Sequence, residues 1–202
     1  MGTEKCQTGG YSMLTIRDLS FGYQKNELVM DGFNLELKDG ELIALMGPSG
    51  CGKSTLLQLI ANFLSPISGQ IENTSQKISY AFQEPRLFPW LTVEENLNAV
   101  VSEVSPSLTD VLEMVEMQNT HRLYPEQLSG GMKSRVSLAR AILFAGDLFL
   151  LDEPFAALDA DLRMELSKRL REHLKSTNRS AILVTHQEDD AKLFADRIVY
   201  MV

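Results

Sequence analysis

Gly47-Pro48-Ser49-Gly50-Cys51-Gly52-Lys53-Ser54 stands between an apolar run, Leu42 to Met46 (LIALM), and a segment in which Leu56, Leu57, Leu59 and Ile60 recur at helical spacing. The run predicts a buried strand and the periodicity a helix, so the octapeptide is a strand-to-helix turn. Its glycines expose backbone N–H groups, and the N-terminus of the following helix favours anions, which together make a cradle for phosphates. The pattern GxxxxGK[ST] assigns Lys53 to the β and γ phosphates and the Ser54 hydroxyl to Mg2+, with Thr55 as a further phosphate contact. A chance match in a chain of this length is on the order of one in a hundred. The strand before it and the helix after it lower that further, so binding of ATP or a similar nucleotide with Mg2+ is expected.

Outward from the loop, ISYAF (78–82), LFLL (148–151), AILVT (181–185) and RIVYM (197–201) are short apolar runs of the kind found in a parallel sheet covered on both faces. Leu162, Leu166, Leu170 and Leu174, four residues apart, predict a helix before AILVT. Strands alternating with helices give an α/β layered fold. Nearer the start, from Met13 to Leu37, MLTIRDL and FNLEL alternate apolar and polar residues and read as antiparallel, half-exposed strands. The stretch from Val93 to Arg122 has no strand-like run and carries Val111, Leu112, Met114 and Val115 among polar residues, which predicts a helical insert.

The bulk properties restrict the partners. The chain has 202 residues, 44% hydrophobic and 23% charged, which suits one globular domain. A net charge of -8 offers no bulk attraction to nucleic acid. Cys6 and Cys51 have neither the number nor the spacing of a disulfide framework or metal site, which fits a reducing cytoplasm. No apolar run approaches the roughly 20 residues of a membrane span, and residues 1–12 (MGTEKCQTGGYS) lack a signal-peptide core and read as a flexible lead. Any membrane association is expected to be peripheral.

Many nucleotide enzymes share a glycine-rich phosphate loop, so the later motifs decide among them. Leu148-Phe-Leu-Leu-Asp152-Glu153 is a strand ending in two acids, and ligands bind where strands of an open α/β sheet end. Asp152 is suited to hold magnesium through water, and Glu153 to orient or deprotonate the water that attacks the γ phosphate. Leu128-Ser129-Gly130-Gly131-Met132 precedes a helical run and is a second place where a serine, paired glycines and a helix N-terminus meet phosphate.

In this order and spacing, LSGGM about 20 residues before LFLLDE resembles the signature sequence of the ABC ATPases. The resemblance covers about residues 13–202 and implies a P-loop NTPase domain of ABC type. Such a domain has a mostly parallel RecA-like sheet flanked by helices, an antiparallel β subdomain, and a helical subdomain over about 86–135. It further implies that Gln83 in AFQEP contacts the magnesium and water, that His186 contacts the γ phosphate, that Asp159 in Ala157-Leu158-Asp159 reaches across a dimer, and that Tyr23 stacks on adenine. By the same resemblance two such domains sandwich two ATP molecules, each between the P-loop of one and the signature of the other. A second nucleotide-binding domain is therefore an expected partner.

QEPRLFPWLTVEENL (83–97) and LDEPFAALDA (151–160) are similar to the importers of nitrate, sulfonates and taurine. This implies an ATPase driving import of a small solute from the cytoplasmic face of the membrane, with a solute-binding protein involved indirectly. A permease would dock near Gln83 to Trp90; the alternative for Phe88 and Trp90 is that they fill the core of the insert. Lys133-Ser134 depart from the Arg-Gln that often follows the signature. Chromosome-type relatives would need a long coiled coil between Gln83 and the signature, whereas only about 45 residues separate them and no heptads run through. A small-molecule kinase would lack LSGGM.

Overall fold

The computed structural model describes residues 12–24, 27–102 and 105–202. The flexible lead read from residues 1–12 lies outside these except for Ser12, which opens the first strand. Two sheets build the molecule. β1 (Ser12–Phe21), β2 (Met30–Lys38) and β4 (Ser68–Asn73) form an antiparallel sheet in the order β2-β1-β4. β3 (Leu42–Met46), β5 (Ile78–Ala81), β6 (Leu148–Asp152), β7 (Ser180–Val184) and β8 (Arg197–Tyr200) form a parallel sheet in the order β5-β6-β7-β3-β8.

Each expected parallel strand is present within one residue of the apolar run that predicted it. The reason is burial on both faces: every residue of β6 and β7 is buried. Side chains alternate across a strand, and the alternation divides the core in two. Leu42, Phe149, Leu151, Ala181 and Leu183 face one cluster, which is completed by Leu138 and Ile142 of α4 (Gly130–Phe144), Leu166, Leu170 and Leu174 of α5 (Ala160–Ser176) and Phe194 of α6 (Glu188–Phe194). Ile43, Leu45, Leu148, Leu150, Ile182 and Val184 face the other, against α1 (Lys53–Ile60) and the inner face of the antiparallel sheet. Each fully buried leucine or isoleucine contributes about 1.5–3 kcal/mol, so this patterning outweighs local propensity in fixing the layers.

β4 was not foreseen from the sequence. Its residues, SGQIEN, include one apolar side chain, Ile71, and the strand exists because its backbone pairs with β1, Ile71 opposite Ile16. Between β5 and β6 lies the helical insert, with α2 (Val93–Asn98), α3 (Leu108–Met114) and a short 3-10 turn at Pro125–Gln127 before α4. Capping side chains start its helices: Thr92 and Glu95 form a reciprocal box at α2, Ser107 caps α3, and Ser129 caps α4 by accepting from the Met132 N–H. Among the described residues no helix is long and apolar enough to cross a membrane.

Candidate functional site

β5, β6, β7 and β3 are parallel neighbours, so the loops leaving them gather along one edge of the sheet. Asp152 ends β6 beside Val184 of β7, and Leu45 of β3 lies beside the same Val184. That edge brings the glycine-rich loop, Gln83, Glu153 and His186 to one place. A cavity of about 600 Å³ opens there, and residues of the glycine-rich loop and α1 line it together with Tyr23, Gln83, Glu153 and His186.

Glycine is required in the loop for two different reasons. At Gly47 a Cβ would clash with the carbonyl oxygen of Met201 and with Cys51 Sγ. Gly52 caps α1 in the left-handed region at φ 94°, and a Cβ there would stand 2.9 Å from Val29 Cγ1. Lys53, only 6% exposed, folds back over the loop and its Nζ donates to the carbonyl oxygens of Gly47 at 2.9 Å and Pro48 at 2.8 Å. Neutral acceptors thus hold the ammonium at the rim of the cavity. Lys53 Nζ also lies 3.7 Å from Cys51 Sγ, and Cys51 lines a neighbouring cavity with Tyr200 and Met201 rather than this one.

Ser54 Oγ donates to Asp152 Oδ1 at 2.9 Å. Asp152 is 4% exposed, and burial pushes its carboxyl above the ordinary carboxylate range; the Ser54 hydroxyl and Lys53 pull it back, while Glu153 adds to the rise. Glu153 sits at φ 47°, an unfavourable conformation for a glutamate, and its N–H donates to the Val184 carbonyl at 3.1 Å. Its Oε1 lies 2.9 Å from His186 Nε2. Tyr23 is 64% exposed at the rim, its ring edge-on to Phe21, and its hydroxyl is 2.9 Å from Thr55 Oγ1. It is not a core residue.

Ser129, Gly130, Gly131 and Asp159 are absent from this cavity's walls. They lie together elsewhere: Ser129 caps α4, Asp159 caps α5 by accepting from the Leu162 N–H at 3.1 Å, and a Cβ on Gly131 would stand 2.9 Å from the Ala157 carbonyl oxygen. Both segments are exposed apart from the half-buried Gly131 and Leu158. The signature turn and the glycine-rich loop therefore lie at separate places on the chain.

Phe88 and Trp90 do not fill the insert's core. They are 41% and 70% exposed, with ring centroids 5.7 Å apart. What holds their loop is a residue the sequence reading missed. Asn96, fully buried, accepts from the Phe88 N–H at 2.7 Å and donates to the carbonyls of Phe88, Leu91 and Thr92 at 3.1, 3.0 and 2.9 Å. An asparagine on the buried side of VEENLN was the available signal, because a buried amide needs partners.

The ABC transporter family matches residues 30–156. An aliphatic sulfonates import ATP-binding protein of Bacillus cereus is 41% identical over 184 residues, covering 86% of this chain and 73% of that protein. A bicarbonate transport ATP-binding protein of Synechococcus elongatus is 42% identical over 190 residues, covering 86% of this chain and 29% of the other. Among solved structures, a dimeric ATP-binding cassette in a post-hydrolysis state with ADP and Pi superimposes with a TM-score of 0.84 at 28% identity, over 94% of each chain.

Proposed function

This chain belongs to the ABC transporter family and is an ATPase of the cassette type, and on that premise we propose that it powers a membrane importer of a small solute of the nitrate, sulfonate or taurine class. The observation that carries the reading is Lys53, held by the carbonyls of the glycine-rich loop, lining one cavity with the Glu153–His186 pair. The names of the relatives, sulfonate and bicarbonate importers, support the solute class.

In this reading the backbone N–H groups of residues 47–55 and the Lys53 ammonium bind the β and γ phosphates, and Tyr23 takes the adenine on its exposed ring. Ser54 and Asp152, already hydrogen-bonded, and the amide of Gln83 on the same cavity offer the oxygen donors that suit Mg2+. When bound, that ion neutralises charge on the phosphate oxygens. Glu153 accepts a proton from the attacking water as the water oxygen bonds to the γ phosphorus and the bond to the β–γ bridging oxygen breaks, leaving ADP and phosphate. His186 holds the Glu153 carboxylate in line and contacts the γ phosphate.

The site of one chain is incomplete. Ser129, Gly130, Gly131 and Asp159 serve the nucleotide of a second copy or a second cassette, and the reverse contact closes this one. Phe88, Pro89 and Trp90, next to Gln83, dock a permease subunit at the cytoplasmic face of the membrane, where an exposed apolar patch has its use. A solute-binding protein acts on the far side, without touching this chain.

Phosphate release from ATP by the wild type, Lys53→Ala and Glu153→Gln tests the assignment. Wild-type turnover with loss in both variants is the expected result; release undiminished in both overturns it.

A further inference from the structure

Behind the Glu153–His186 contact is a second, small cavity of about 80 Å³ whose walls include Glu153, Arg163, Thr185, His186 and Asp190. Asp190 on α6 is 2% exposed, and Arg163 Nε lies 3.0 Å from its Oδ1. Its Oδ2 accepts from Thr185 Oγ1 at 3.4 Å, and the same Thr185 oxygen accepts from the Gln187 N–H at 3.1 Å. The residues on both sides of His186 are thereby tied to Asp190, and Asp190 to Arg163. Arg163 stands in the first turn of α5, where its N–H donates to the carbonyl of Asp159, the cap of that helix, at 3.0 Å.

A buried ion pair is a weak way to stabilise a fold, because the desolvation cost offsets most of the attraction. Burial pushes the Asp190 carboxyl up, and Arg163 and the Thr185 hydroxyl only oppose that. Two apolar side chains would join α5 to α6 at least as well. What the ion pair adds is a tie that apolar side chains would not make: Arg163 Nε and Asp190 Oδ1 approach to 3.0 Å without hydrogen-bond geometry, and the Thr185 hydroxyl on the other carboxylate oxygen links the first turn of α5 to the turn that carries His186.

We propose that Arg163 and Asp190 are a positioning pair that fixes the His186 turn against the first turn of α5, so that engagement of Asp159 by a second chain is passed to His186 and through it to Glu153. Neither residue touches the nucleotide. The inference rests on the assignment of His186 and Glu153 to ATP hydrolysis made above.

The test replaces the pair by apolar residues of similar size, Arg163→Met with Asp190→Leu, which keeps the helices joined while removing the charged tie and the Thr185 contact. ATPase kinetics are measured for this double variant, for His186→Ala, and for the two combined, beside thermal melting. The expected result is an unchanged Tm, a KM for ATP within about twofold and a kcat lowered about tenfold, the loss that a small misplacement at a reacting centre brings. In the His186→Ala background the same double change lowers kcat by less than about twofold, because the effect runs through His186. Wild-type kcat in the double variant, or an equal loss in both backgrounds, overturns the proposal. If the double variant does not fold, Asp190→Asn is read by the same criteria. A His186→Ala enzyme as fast as wild type overturns the site assignment and this inference together, whereas a slow His186→Ala beside a fast double variant overturns the inference alone.

Discussion

Glu153 Oε1 and His186 Nε2 are 2.9 Å apart although they leave different strands, β6 and β7. Glu153 holds a left-handed backbone, φ 47°, where the chain leaves β6. Glu153→Gln keeps the size and loses the proton acceptor. Its kcat is expected to fall at least about a hundredfold, with ATP affinity within a few-fold of wild type by fluorescent-nucleotide titration. His186→Ala lowers kcat by a smaller factor, since the base remains.

The two signature glycines separate folding from function. A Cβ on Gly130 meets nothing within 4 Å, whereas one on Gly131 stands 2.9 Å from the Ala157 carbonyl oxygen. Gly130→Ala is expected to melt at about the wild-type temperature, since the added methyl meets nothing within 4 Å, and, on the proposed pairing, still to lose ATPase activity because the methyl adds bulk to the turn assigned to a second chain's nucleotide. Gly131→Ala lowers both Tm and activity. Wild-type hydrolysis by Gly130→Ala would contradict the role of this turn.

Asn96 makes the exposed aromatic loop possible. Asn96→Ala removes the partner of the Phe88 N–H and of the Leu91 carbonyl, while the carbonyls of Phe88 and Thr92 keep the backbone N–H groups of Leu91 and residue 96. The expected cost is about 2 kcal/mol, or a fall in Tm of about 4–8 °C for a chain of this size, measured by calorimetry. Trp90→Glu, by contrast, leaves Tm unchanged, since Trp90 is 70% exposed, and its effect is confined to transport by the assembled importer.

Asp196 supplies a pH signature. Burial alone would raise its carboxyl, but Lys175 at 2.5 Å, the Leu42 N–H at 3.0 Å and Arg171 at 2.8 Å together hold it below its ordinary 3.8. A depressed carboxyl contributes stability that is fully present above the unfolded value and is lost as pH falls through the folded one. The Tm advantage of wild type over Asp196→Asn is therefore constant at neutral pH and shrinks below about pH 4. An advantage that grows on acidification would reverse the sign and refute the assignment.

The parallel sheet was legible because its strands are buried on both faces and so appear as uninterrupted apolar runs; LIALM and LFLL each mark a strand within a residue. The glycine loop, Asp152, Glu153, Gln83 and His186 were legible as motifs, and the sheet order explains why residues so far apart in sequence converge. β4 was not legible, since a polar edge strand owes its existence to backbone pairing with β1. Nor were Asn96 or the Arg163–Asp190 contact: each pairs groups whose significance lies in burial, and burial of a polar residue leaves no periodic trace in the sequence. The separation of the signature turn from the phosphate loop within one chain was implied by the resemblance, and on the fold the two do not line the same cavity.

That separation makes the paired site the central claim. The most direct test is the mass of Glu153→Gln in solution by light scattering, without nucleotide and with ATP and Mg2+. One chain's mass without nucleotide, doubling when ATP is added and failing to double when Gly130→Ala is introduced as well, is the predicted result. One chain's mass under both conditions, in a protein shown by titration to bind ATP, would contradict it.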